Sequence, residues 1–169
     1  MKSFLRLSLW VSLVLVVSAV NDFVPLSCND DVATAECNSW TSLFGSSSAF
    51  TNQIIIPCGT CVQMNHPGPQ ISLLGGIDII GKLIFPNDGK YTLTINTASI
   101  IVQGELDMQS TQTPITGTPL IRIVMIGFDK KLSFRPYGEN ANACANFDCE
   151  IGFKSITVAG GKVNRTCAN

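Results

Sequence analysis

Charge is scarce in this chain, and neither sign dominates. Of 169 residues, 11 are Lys or Arg and 12 are Asp or Glu, giving a formal net charge of −1. A chain without a basic field has nothing with which to hold nucleic acid by its phosphates, and no acidic tail is present. Histidine is almost absent: His66, in the turn-like "MNHPGP", stands alone. No nucleophile or carboxylate partner is suggested near it, so it reads as an exposed loop residue rather than a general base. The chain also lacks a phosphate loop, a dinucleotide fingerprint, a G-x-S-x-G elbow and the spacings of EF-hand or repeat-type calcium sites. Nowhere is an apolar period of 3.6 sustained, which excludes a helical core. Only Asn140 to Phe147 offers a possible short helix. Beyond residue 20, Lys, Asp, Asn or Gly interrupts every apolar run, so no stretch there is long enough for a spanning helix, which needs about 20 residues.

What stands before residue 20 is different. "MKSFLRLSLWVSLVLVVSAV" joins a basic start, Lys2 and Arg6, to an apolar run from Leu7 to Val17 and then to small residues. This is the layout of a secretory signal peptide, residues 1–19, cleaved near Ala19. The mature chain is expected outside the cytosol, with no membrane span.

Cysteine usage agrees with that destination. All seven cysteines follow the signal: Cys28, Cys37, Cys58, Cys61, Cys144, Cys149 and Cys167. In an oxidising compartment they are disulfide candidates. Local closure suggests Cys28–Cys37, Cys58–Cys61 and Cys144–Cys149, leaving Cys167 over. "CGTC" at Cys58 to Cys61 also fits a redox pair or half of a zinc site. The flanking residues are strand-like, however, and offer no helix N-terminus to lower a thiol pKa. Asn164-Arg165-Thr166 is a glycosylation sequon, making Asn164 a candidate acceptor.

Residues 20–39 form a polar, cysteine-containing N-terminal segment, and "LFGSSSAF" reads as a loop. Trp40 is placed over the start of the core. From Gln53 onward the sequence becomes a succession of short runs rich in Ile, Val, Thr and Leu, broken by Gly, Pro and Asn. Sliding the sequence by 23 residues aligns Ile77 with Ile100 and Ile123, Ile79 with Val102 and Met125, and Gly81 with Gly104 and Gly127. Leu83 falls on Leu106 and Phe85 on Met108, while the alternate positions are more polar, with Lys82 over Glu105. An apolar column every second residue, repeated at constant interval, is what stacked strands require. The fold predicted is all-β: a short parallel β-helix, or β-solenoid, over 40–169. Its coils are of about 23 residues, it carries loop insertions, and it has few or no helices apart from the signal peptide. The longest insertion falls around "RPYGENANACANFDCE". A β-sandwich is the competing architecture, and the scarcity of hairpin turns argues against it; "NDG" at Asn87 to Gly89 is the one such signal.

These pieces, in order, resemble the G8 domain family. Trp40 marks the start, and "QIIIPCGTCVQM" is similar to the family's opening strand pattern. "LLGGIDIIGKLIF" and "LTINTASIIVQGELDM" are similar to its successive glycine-bearing rungs, and "FKSITVAGGKV" to its closing glycine pair. The resemblance implies a right-handed parallel β-helix and an extracellular module, found in secreted and cell-surface proteins, some of which bind or degrade hyaluronan.

For chemistry, the carboxylates in and near the core are Asp78, Glu105, Asp107, Asp129, Asp148 and Glu150. Glu105 and Asp107 share a strand face by parity, close enough for a glycosidase pair, although a solvated outer face explains them equally well. No catalytic residue, metal ligand or cofactor is assigned. The expected function is a non-catalytic extracellular binding module for a glycan or protein. The alternative is a part of a larger hyaluronan- or polysaccharide-degrading enzyme. An uncapped last rung would allow end-to-end self-association.

Overall fold

The computed structural model describes residues 23–25, 28, 36–86, 92–109, 121–127, 132–144, 147–152 and 154–166. The signal-peptide reading of 1–19, the turn at Asn87 to Gly89, Asp129 and Cys167 all lie outside the described residues.

The described chain is mostly strand. The first sheet is built from β1 (Asn38–Ser39), β4 (Cys61–Gln63), β7 (Lys82–Phe85), β10 (Glu105–Gln109) and β15 (Lys162–Thr166), neighbours in that order. The second is built from β2 (Ala49–Phe50), β5 (Gln70–Leu73), β8 (Leu93–Thr97) and β11 (Ile121–Met125). The third is built from β3 (Ile54–Ile56), β6 (Ile77–Ile79), β9 (Ser99–Val102) and β14 (Ser155–Val158). Every pairing in these three sheets is parallel. From β1 to β11 the chain visits the three sheets in strict rotation. A fourth, two-stranded antiparallel sheet, β12 (Leu132–Phe134) with β13 (Cys149–Ile151), then interrupts it.

One core serves all three parallel sheets. Ile54, Ile77 and Ile100 stand in register, as do Ile56, Ile79 and Val102. Val62, Leu83 and Leu106 do the same in the first sheet, and Ile71 faces Ile95 in the second. All are buried in a single cluster with Trp40, Leu73 and Phe85. Each such side chain contributes about 1.5–3 kcal/mol of hydrophobic stabilisation. The columns end on exposed residues in the last strands: Ile156, Val158 and Val163.

The 23-residue register holds between adjacent strands and then breaks. Ile77 pairs with Ile100, Leu83 with Leu106 and Phe85 with Met108. The expected Lys82–Glu105 contact is an ion pair of 3.2 Å. The third copy is not where the slide put it. Ile123 pairs with Ile95 in the second sheet, whereas Ile100 pairs with Ile156. The glycine that follows Gly81 and Gly104 is therefore Gly161, not Gly127, since Lys162 lies opposite Glu105. Close approach explains the choice. A Cβ on Gly104 would fall on the carbonyl oxygens of Ile80 and Gly81, and one on Gly161 on those of Val102 and Gly104. At Gly127 a Cβ would meet only the Lys154 side chain.

The N-terminal end of the core is covered by a helix that the sequence reading passed over, α1 (Trp40–Phe44). Ser39 caps it, accepting from the Ser42 N–H at 3.0 Å, and Gly45 ends it at φ 81°. Trp40 is fully buried, with its ring 4.6 Å from Phe44 and 5.9 Å from Phe50. "LFGSSSAF" is thus a helix end, a bend and β2 rather than a plain loop. Where the sequence offers a short helix, Asn140 to Phe147, the described residues show no α-helix, and a 3-10 turn, Gly138–Asn140, ends at the first residue of that stretch.

Two of the three proposed disulfides are corrected. The bonds are Cys28–Cys58, Cys37–Cys61 and Cys144–Cys149. Parallel register decides the second: Asn38 lies opposite Val62, so the preceding residues, Cys37 and Cys61, face one another with Cα atoms 4.6 Å apart. Cys58 is left to the N-terminal segment, which brings Cys28 to it.

Candidate functional site

Between β11 and β14 the chain leaves the rotation and lays the β12–β13 hairpin over the outward face of the third sheet. Phe134, Cys149 and Ile151 are buried there with Ile101 and Ala159, and Phe23, Leu132 and Cys144 pack at the edge. At β6 and β9 this sheet is therefore covered on both faces, while the outward Ile55 of β3 stays exposed. Its outward positions Ile80, Ile101 and Gln103 are buried, not solvated as alternation alone implied.

A polar joint fixes the insertion to the sheet. Gln103 is fully buried. Its Oε1 accepts from the Tyr137 N–H at 2.8 Å, and its Nε2 donates to the Arg135 carbonyl at 3.1 Å. The same Nε2 donates to both carboxylate oxygens of Asp78, at 3.0 and 3.1 Å. Asp78 is only 4% exposed, and burial pushes its carboxyl above the usual value of 3.8, with the Gln103 hydrogen bond acting in the opposite direction. A second joint is Asn140. Its Oδ1 accepts from the Val24 N–H at 2.6 Å and its Nδ2 donates to the Val24 carbonyl at 2.7 Å, tying the N-terminal segment to the insertion.

The solvent side of the insertion carries a compact aromatic and charged surface. Because Phe134 pairs antiparallel with Cys149, Arg135 comes opposite Asp148, and the two form an exposed ion pair of 3.4 Å. Phe147 is the next residue on one arm and Tyr137, past the buried Pro136, the second on the other; they are 55% and 44% exposed. Phe147 has φ 65°, inside the short loop closed by Cys144–Cys149. A bulky side chain in the left-handed region costs about 1–3 kcal/mol and tends to persist where function holds it. The ring is thus presented to water from a backbone position better suited to Gly or Asn.

The residues singled out by sequence are dispersed. Glu105 and Asp107 lie on β10, away from the insertion's strands, and Glu105 pairs with Lys82. Asp107 lies opposite Ile84 and Asn164. Asp78 is a buried joint residue. Asp148 belongs to the exposed surface, and Glu150 lies on β13 opposite Ser133. His66 is corrected outright: it is 2% exposed, with Nε2 3.1 Å from the Ser47 carbonyl and Nδ1 accepting from the Gly68 N–H at 3.2 Å. Asn164 lies in β15 at the edge of the first sheet. Among the described residues no group of His, Cys, Asp and Glu could hold a metal ion, and no helix is long and apolar enough to cross a membrane.

Sequence reasoning missed Gln103, Arg135, Tyr137, Asn140 and Phe147 as a set. One signal was available: a glutamine at position 103, where the preceding repeat has Ile80, is a polar residue in need of a partner.

Comparison with known families places these features. The G8 domain model matches residues 39–164, most of the chain, and the chain belongs to that family. No curated protein and no solved structure matches it.

Proposed function

We propose that this G8-domain chain is a secreted, non-catalytic binding module whose ligand seats on the exposed face of the insertion. The rotation of the chain through three parallel sheets supports reading the scaffold as a short right-handed β-solenoid, with the insertion as a platform on its side. Secretion rests on the N-terminal signal and is supported by the three disulfides.

The observation that carries the proposal is Phe147: an apolar ring more than half exposed, on a backbone that disfavours it, next in sequence to Asp148 of the exposed Arg135–Asp148 pair, on an insertion that also exposes Tyr137. Exposed aromatics bring large contact area at low entropic cost, and the adjacent charged pair supplies directional hydrogen bonds. That combination suits the apolar ring faces and hydroxyls of a glycan, and it suits a protein loop as a second class of ligand. The buried Gln103 joint beneath keeps the platform preorganised.

The test is a glycan-array screen of the secreted chain, repeated with Phe147→Asn. Asn tolerates the left-handed backbone, so the fold should be retained. Saturable binding that weakens at least about tenfold in the variant, as for a binding hot spot, supports the proposal. Depolymerisation of a bound polysaccharide, or binding indifferent to position 147, overturns it.

A further inference from the structure

The joint beneath the insertion contains an ionisable group that a merely structural contact would not need. Asp78 sits mid-strand in β6, with Ile55 and Ile101 as its lateral neighbours in the third sheet and the insertion above. Its only hydrogen-bond donor among the described residues is the Gln103 amide. The ionisable groups on the elements packed nearby are otherwise engaged or turned outward. Arg135, three-quarters exposed, pairs with Asp148. Tyr137 and Glu150 have exposed side chains, and Lys82 of β7 pairs with Glu105. Glu139 and Lys154 are exposed, and among the described residues no cation pairs with the Asp78 carboxylate.

From this geometry we infer that Asp78 makes the docking of the insertion sensitive to acid, the insertion closing more firmly on the third sheet as pH falls. The inference does not depend on what the insertion binds. A buried carboxylate held by one neutral amide is poorly compensated when ionised. Lifting the Arg135–Tyr137 segment off Gln103 would let water reach it. Protonation removes the charge and with it that incentive to open. The carboxyl's carbonyl oxygen still accepts from Gln103, so the Gln103 bonds to the Tyr137 N–H and the Arg135 carbonyl are undisturbed.

The sign follows from the raised value. Below the unfolded value of 3.8 the carboxyl is protonated whether the segment is docked or open, and the joint is at its firmest. As pH rises through the higher value of the docked state, the docked form must either carry a buried charge or open, and the joint loosens. The responsive window therefore lies above 3.8 and extends upward to the docked-state value.

Amide hydrogen exchange of the full, disulfide-intact chain tests this, with rates corrected for intrinsic exchange at each pH. The Tyr137 N–H is the reporter, because it donates to Gln103, and the Ile79 to Ile56 ladder serves as an internal reference for global opening. Protection at Tyr137 should rise severalfold relative to that ladder between pH 7 and pH 4. In Asp78→Asn, which keeps the shape and the acceptor but cannot ionise, protection should be high and flat. Protection that falls on acidification, or an equal pH response in Asp78→Asn, overturns the inference. Should that variant fold poorly, carboxyl carbon NMR of the native chain serves instead: the Asp78 resonance and the Tyr137 amide must titrate together, and separate midpoints overturn the inference.

Discussion

Replacing Gly104 by alanine should damage the fold far more than the same change at Gly127, although a 23-residue spacing makes the two look equivalent. At Gly104 the new methyl would fall on the carbonyl oxygens of Ile80 and Gly81. Those carbonyls belong to the neighbouring bend of the ladder, where Gly104 N–H donates to the Ile79 carbonyl at 2.7 Å and Glu105 N–H to the Gly81 carbonyl at 2.8 Å. The clash cannot be relieved by a rotamer change. Separating the two bends weakens both bonds, at about 1 kcal/mol each, and adds an overpacking cost of about 1–3 kcal/mol. The total is about 3–5 kcal/mol. At Gly127 the methyl meets only the flexible Lys154 side chain, so the cost should stay within about 0.5 kcal/mol, as for ordinary surface changes. In a chain of this size 1 kcal/mol moves Tm by roughly 2–4 °C. Thermal unfolding followed by circular dichroism should therefore show Gly104→Ala melting at least about 6 °C below the parent and Gly127→Ala within about 2 °C of it. Equal losses in the two variants would refute the assignment of Gly161 as the third glycine of the column. An unchanged Tm for Gly104→Ala would refute the close-approach argument itself.

Peptide mapping without reduction should recover Cys28–Cys58 and Cys37–Cys61, and finding Cys58 linked to Cys61 would overturn the β1–β4 register. Replacing Cys37 and Cys61 together by serine should cost about 3 kcal/mol from released loop entropy, read as a lower urea midpoint. His66→Ala should destabilise by about 2–4 kcal/mol, because it leaves a cavity and abandons the Ser47 carbonyl and Gly68 N–H; a midpoint shift near zero would mean the ring is exposed after all.

Much of the scaffold was legible because strand faces alternate with a period of two. Ile77, Ile79, Leu83 and Phe85 could be placed inside from the sequence, and Lys82 opposite Glu105, because successive parallel strands at equal spacing keep columns in register. The third member of each column was not legible in the same way. The entropic cost of a longer connection grows only slowly with its length, so an insertion can intervene and the chain still return to the same column at Ile156 and Gly161. A fixed slide cannot anticipate that.

The candidate site was barely legible for a related reason. Alternation says which side of a strand a residue occupies, not whether something later in the chain covers that side. Gln103 and Asp78 stand on the outward side of their strands by alternation, and it is the β12–β13 hairpin that buries them. His66, in a turn-like hexapeptide, is likewise buried, with a contact to Ser47 that only tertiary folding supplies. The sequence by itself determined the all-β character, the inward columns and the family. The tertiary structure alone decided the partners of Cys28, Cys37, Cys58 and Cys61, the buried Asp78–Gln103 joint and the exposure of Phe147. Those depend on which distant segments meet, and local spacing carries no information about that.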